Sequence, residues 1–116
     1  MESFSVEIEL DGELTYVFPL GFLDTHTSPE LEKVLNDLNA QHKLRVVLDC
    51  SGLDYISSSG MGVLMGALQE FRTKDGDIKV VGLSRRVFQT FELLGFTKLF
   101  EIYDARREAI AAFRGH

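Results

Sequence analysis

With 116 residues, 45% of them apolar and 26% charged, the chain is sized and composed for one soluble globular domain spanning residues 1–116. A net charge of −6 argues against affinity for nucleic acid or for an anionic membrane surface, since no basic excess exists to neutralise phosphates. One cysteine, Cys50, excludes an internal disulfide; the start MESFSVEIEL is not a signal peptide, and no apolar run approaches the roughly 20 residues of a membrane helix, so a cytoplasmic protein without membrane insertion is expected.

Phe4, Val6, Ile8 and Leu10 alternate with Ser5, Glu7 and Glu9, the period of a strand with one wet face. Asp11-Gly12 signals a tight hairpin, and Leu14 to Phe18 returns as a second strand ending at Pro19. Gly21 then opens a loop. Ser28-Pro29-Glu30 reads as a helix start, with Ser28 as cap and Leu31, Val34, Leu35 and Leu38 on one apolar face. Leu44 to Leu48 is near-continuously apolar, as expected of a strand buried on both faces. After Asp49, Gly52 and the serines Ser57, Ser58 and Ser59, the spacing becomes helical at Met61, Leu64, Met65, Leu68 and Phe71. Ile78 to Val81 is a fourth strand closed by Gly82. Ser84 caps a third helix carrying Val87, Phe88, Phe91 and Leu94, with Gly95 as its stop. Leu99 to Tyr103 reads as a last strand, and Asp104 as the cap of a final helix over 105–113. The order β-β-α-β-α-β-α-β-α implies an α/β domain with a mixed, mostly parallel sheet of about five strands, about four helices mainly against one face, and an antiparallel hairpin at the edge.

The three serines fall where a strand's exit loop becomes a helix N-terminus. Serine caps unpaired N–H groups there, and the helix dipole favours negative charge. A phosphate on one of these hydroxyls would lie beside several donors. Other chemistries fit less well. A hydrolase elbow G-x-S-x-G is missing around Ser58, and a triad would have to draw on His26, His42 or His116. Gly60, Gly62 and Gly66 depart from G-x-G-x-x-G spacing and no P-loop lysine follows, so Gly62 and Gly66 are expected to let the helix approach the sheet closely. Cys50 reads as a small core residue, and metal-ligand spacing is not evident, so neither cofactor nor metal is expected. Periodicity leaves Phe22, Met61 and Met65 open between core and interface.

Tyr55-Ile56-Ser57-Ser58-Ser59-Gly60-Met61-Gly62 followed by Leu64 resembles the signature of the STAS family, the anti-sigma factor antagonists. Gly21-Phe22-Leu23-Asp24 is similar to the family's loop before the first helix, Val46-Val47-Leu48-Asp49 to the strand leading to the signature, and Leu94-Gly95-Phe96 with Leu99-Phe100 to a third family segment. The likeness runs through essentially the whole chain in order. It implies the STAS fold and a binding protein rather than an enzyme. The antagonist holds an anti-sigma factor with serine-kinase activity and frees a sigma factor; the kinase phosphorylates the antagonist, which is then released, and a PP2C-type phosphatase resets it. Aligned on the glycine of the family pattern D-S-[ST]-G, the acceptor is Ser58, and Asp24 falls at the position of a loop aspartate in the partner site. The expected partner surface is Asp24, Thr25, Ser57, Ser59, Gly60 and Met61. Ser57 stands where many members have aspartate, which removes a carboxylate beside the acceptor and leaves Ser57 and Ser59 as alternative acceptors. The alternatives are a STAS scaffold or adaptor subunit that works without phosphorylation, and a small nucleotide-binding protein or enzyme using the serine–glycine loop.

Overall fold

The computed structural model describes residues 3–115, which build six strands and four α-helices. Strand β1 (Phe4–Asp11) turns back through Gly12, whose φ of 61° suits the tight turn, and pairs antiparallel with β2 (Leu14–Leu23). Helix α1 (Ser28–Ala40) leads to β3 (Arg45–Asp49), and a short jog leads to β4 (Leu53–Ile56). Helix α2 (Ser58–Thr73), β5 (Asp77–Val81) and α3 (Arg85–Leu93) follow. A single 3-10 turn (Phe96–Lys98), β6 (Ile102–Tyr103) and α4 (Arg106–Arg114) complete the described chain.

The sheet order is β1-β2-β3-β5-β6, with β4 attached to β2 alone. All pairings except β1–β2 are parallel. One face carries the main core: Val17, Val46, Leu48, Ile78 and Val80 meet Leu31 and Leu35 of α1, Leu64, Leu68 and Phe71 of α2, and Val87 and Phe91 of α3. The other face is covered by α4, where Ala109, Ile110 and Phe113 pack with Tyr16, Val47 and Val81. Cys50 is buried in the main core, where desolvation pushes its thiol pKa up. No described helix is long and apolar enough to cross a membrane.

Several boundaries differ from the sequence-based expectation. The sheet has six strands because Leu53–Ile56, expected as loop, pairs with Gly21–Leu23. The second strand does not end at Pro19 but runs on to Leu23. Proline is tolerated because the β3 register covers Thr15–Val17 and the β4 register covers Gly21–Leu23, so Pro19, which faces Val6 of β1 on its other side, falls between them and neither parallel ladder needs its missing N–H. The last strand keeps only Ile102 and Tyr103, since Phe96–Lys98 coil into a 3-10 turn after the left-handed Gly95. Phe88 of α3 and Leu94, which follows the helix as its C-cap, are exposed rather than in the core. Thr27, not Ser28, is the N-cap of α1, and Ala105, not Asp104, that of α4, where the Glu108 carboxylate accepts from the Ala105 N–H at 2.9 Å.

Candidate functional site

The serine segment sits where β4 ends and α2 begins. The Ser57 N–H donates to the carbonyl of Leu23 at 2.8 Å, which ties the start of α2 to the end of β2. Ser57 is the N-cap: its hydroxyl accepts from the Gly60 N–H at 3.2 Å, the bond an aspartate would make there, but without the charge. Ser58, the first residue of the sixteen-residue helix, is exposed, and its hydroxyl has no hydrogen bond among the described residues. The Ser59 hydroxyl lies 3.1 Å from that of Thr25 and exchanges a hydrogen bond with it.

Thr25 belongs to a turn that Asp24 organises. One carboxylate oxygen of Asp24 accepts from the His26 N–H at 2.9 Å and the Thr27 N–H at 3.1 Å, while the Asp24 N–H donates to Thr27 Oγ1 at 2.8 Å. The Thr27 hydroxyl in turn donates to the carbonyl of Phe22 at 2.8 Å. Partial desolvation pushes the Asp24 carboxyl pKa up, but the donors of Thr27 and His26 outweigh it and hold the group below the usual aspartate value. At neutral pH the loop therefore presents a carboxylate near the helix N-terminus that carries Ser58.

The structure thus brings Asp24, Thr25, Ser57, Ser58 and Ser59 together, but not all of the expected partner surface. Met61 is only 1% exposed and belongs to the core, so its side chain does not reach a partner. The reason is helical geometry: Met61 shares the inward stripe with Leu64 and Leu68. Gly60 is likewise buried, and it is Gly60 that makes the close approach expected of Gly62 and Gly66. A Cβ there would lie 2.8 Å from Leu23 Cγ and 3.0 Å from Ile56 Cγ1, whereas Gly62 and Gly66 have nothing within 4 Å. Met65 is half-buried against the core. No histidine side chain hydrogen-bonds a serine among the described residues, and His116 lies outside them.

Sequence reasoning left Phe22 open and did not single out Tyr55 or Arg86. The Phe22 and Tyr55 rings are 5.7 Å apart, and the Arg86 guanidinium lies 5.5 Å from the Tyr55 ring. Phe22 and Tyr55 stand on β2 and β4 two residues before Asp24 and Ser57, and Arg86 reaches the Tyr55 ring from α3. They come from three elements, so no linear spacing announces them.

A family model for the STAS domain matches residues 5–109. The anti-sigma-B factor antagonist of Listeria monocytogenes is 29% identical over 107 residues, covering 91% of this chain and 94% of the relative. BtrV of Bordetella bronchiseptica is 33% identical over 106 residues, covering 91% of this chain and 90% of the relative. Among solved structures, an anti-sigma factor antagonist from Mycobacterium paratuberculosis superposes with a TM-score of 0.89 at 24% identity, over 97% of this chain and 95% of that one. Unphosphorylated SpoIIAA superposes with a TM-score of 0.81 at 23% identity, over 98% of each chain. At such identities these two likenesses speak to the fold alone. The family match spans nearly the whole chain and agrees with the strand order and the serine-capped helix, so this chain belongs to the STAS domain family.

Proposed function

We propose that this chain is an anti-sigma factor antagonist, a cytoplasmic binding protein rather than an enzyme, switched by phosphorylation of Ser58. Its partners are an anti-sigma factor with serine-kinase activity and, for reset, a PP2C-type phosphatase. The observation that carries the reading is the exposed Ser58 hydroxyl at the head of α2, beside the carboxylate-bearing Asp24 turn that the Thr25–Ser59 bond ties to the same helix. The relatives named above lend support, as does the fact that SpoIIAA has been solved in both unphosphorylated and phosphorylated forms.

Unphosphorylated, the surface made by Asp24, Thr25 and Ser57–Ser59 holds the anti-sigma factor, with Phe22, Tyr55 and Arg86 as its flank. A phosphate on Ser58 adds about −1.5 to −2 charges. The α2 N-terminus accommodates that charge within the folded domain. Facing a partner beside the Asp24 carboxylate, the same charge is repelled and must be desolvated, and about 2.7 kcal/mol of such penalty lowers affinity a hundredfold. The switch is therefore local charge with little rearrangement of the fold.

Intact-mass analysis of the chain incubated with its anti-sigma kinase and ATP, beside Ser58→Ala, tests this. One added phosphate in the wild type and none in the variant supports the assignment. Phosphate retained in Ser58→Ala moves the acceptor to Ser57 or Ser59. Partner binding with no phosphate in either protein overturns the switch in favour of an unphosphorylated scaffold, the reading that the uncharged Ser57 cap favours.

A further inference from the structure

Strand β1 ends the sheet, and no strand pairs with its outer side among the described residues. It is eight residues long, which makes it a sizeable template for another extended chain. Its two faces differ sharply. Phe4 and Val6 pack against the main core, and Ile8 and Leu10 continue that apolar row into solvent at 47% and 60% exposure. The opposite face carries Glu7, Glu9 and Asp11, all exposed. Neither Glu7 nor Glu9 has an ion pair among the described residues; their cross-strand neighbours are Phe18 and Tyr16, and the nearby Arg106 guanidinium, stacked over those two rings, is held by Asp49. Asp11 accepts a hydrogen bond from Tyr16.

Charge decides which occupant suits this edge. A second copy of the chain is a poor one. In an antiparallel pair, residues on one face oppose residues on the same face of the neighbour. Any antiparallel register that pairs both Ile8 and Leu10 with apolar residues of a second β1 sets Glu7 against Glu7, Glu7 against Glu9, or Glu9 against Glu9 with Glu7 against Asp11. Parallel in-register pairing opposes Glu7 to Glu7. Like charges directly opposed are destabilising, and acidic residues in this arrangement block self-association at a sheet edge. They do not block a strand of the opposite sign.

We propose that the outer edge of β1 is a strand-addition site for an extended partner segment in which apolar residues alternate with lysine or arginine. The apolar residues cover Ile8 and Leu10, the cations meet Glu7 and Glu9, and main-chain hydrogen bonds supply the remainder of the affinity. The site is distinct from the Ser58 surface. Val17, opposite Ile8, lies six residues before Leu23, or about 20 Å along β2. Both surfaces can be occupied at once, and the strand-addition site does not depend on Ser58 being an acceptor.

The test is an NMR titration of the full chain with an eight-residue peptide of alternating lysine and valine. The expected result is saturable binding that weakens with salt, shifts confined to residues 4–11 and the paired β2, and slowed exchange of β1 amides. Glu7→Lys/Glu9→Lys lowers the affinity at least tenfold, as does Ile8→Ser/Leu10→Ser. Glu7→Gln/Glu9→Gln removes charge without reversing it, and serves if the lysine variant fails to fold. A peptide of alternating glutamate and valine does not bind. Shifts scattered over other acidic surfaces, or affinity unchanged in these variants, would overturn the proposal. So would a sedimenting dimer that Ile8→Ser/Leu10→Ser dissolves, since the edge would then belong to a second copy.

Discussion

Three glycines on one helix give a test in which the same substitution has opposite signs. Gly62 and Gly66 face open space within α2, and a Cβ on either meets nothing within 4 Å. Alanine there restricts the unfolded chain and favours the helix, so each change should stabilise the domain by about 0.5–1 kcal/mol. For a domain of this size that sum corresponds to a rise in Tm of roughly 4–8 °C for the Gly62→Ala/Gly66→Ala pair. Gly60 is different. Its Cβ would stand 2.8 and 2.9 Å from two carbons of Leu23 and 3.0 Å from Ile56 Cγ1. Leu23 and Ile56 are themselves enclosed in the core and have no room to swing aside. Overpacking of this kind costs about 1–3 kcal/mol, against about 1 kcal/mol of helix propensity, so Gly60→Ala should destabilise by up to about 2 kcal/mol. It should also push the head of α2 away from the end of β2 and lengthen the Thr25–Ser59 bond. Urea unfolding of the three variants measures the energies, and amide shifts of Thr25 and Ser59 report the displacement. If Gly60→Ala stabilised the protein as much as Gly62→Ala, the reasoning from close approach would be wrong.

Lys79 is buried beneath Phe113, with Asp77 at 3.0 Å and Glu101 at 2.9 Å, and Tyr103 donates to the same Glu101 oxygen at 2.6 Å. Tyr103 and Lys79 hold the Glu101 pKa below its ordinary 4.5, so this group stabilises the fold above that pH and the contribution is lost as pH falls through the lowered value. Burial lowers the Lys79 pKa, but the bonds from its two carboxylates outweigh that and raise it; Tyr103 is also raised, first by its bond to Glu101, so stability from both is complete below about pH 10 and lost above. Lys79→Met should therefore show a smaller loss of urea midpoint on acidification than the wild type. Arg106 joins Asp49 at 3.3 Å and lies over the Tyr16 and Phe18 rings; Arg106→Ala leaves a largely buried carboxylate oxygen unpaired and should cost about 1–3 kcal/mol, read from denaturant midpoints. At Asp24, an asparagine retains the oxygen that accepts from His26 and Thr27, so Asp24→Asn should keep the turn's amide shifts while Asp24→Ala displaces them and lowers Tm.

What could be read from the sequence depended on how local its physical cause was. The alternation in Phe4 to Leu10, the apolar run of Leu44 to Leu48 and the serine-capped start of α2 are local patterns, and each became the element it suggested. β4 was not legible, since four residues after a glycine carry too little periodicity and its strand state comes from pairing with β2. Pro19 looked like a terminator because the gap between β3 and β4 that accommodates it is a property of the sheet. In the site, the cap and the Asp24 loop were visible as residue types in order, whereas the Thr25–Ser59 bond spans 34 positions and the Phe22–Tyr55–Arg86 contacts join three elements. Periodicity left Met61 open between core and interface, and the family resemblance put it in the expected partner surface; its position on the inward stripe of α2 buries it in the core.

The jog at Cys50–Gly52 splits what could have been one strand and forks the sheet. Beyond it, β3 has already given its partners to β5, and β4 leans on β2 alone, with α3 along its other side. A four-residue ribbon held by one neighbour can come apart while the central ladder of β3 and β5 stays closed. Such an opening would free the cap of α2 and the end of β2 together, because the Ser57–Leu23 bond joins them. Amides of Leu53–Ile56 should accordingly exchange with deuterium before those of Val46–Leu48. The serine end of the domain then has its own, shallower free-energy well, able to open without unfolding the body of the protein.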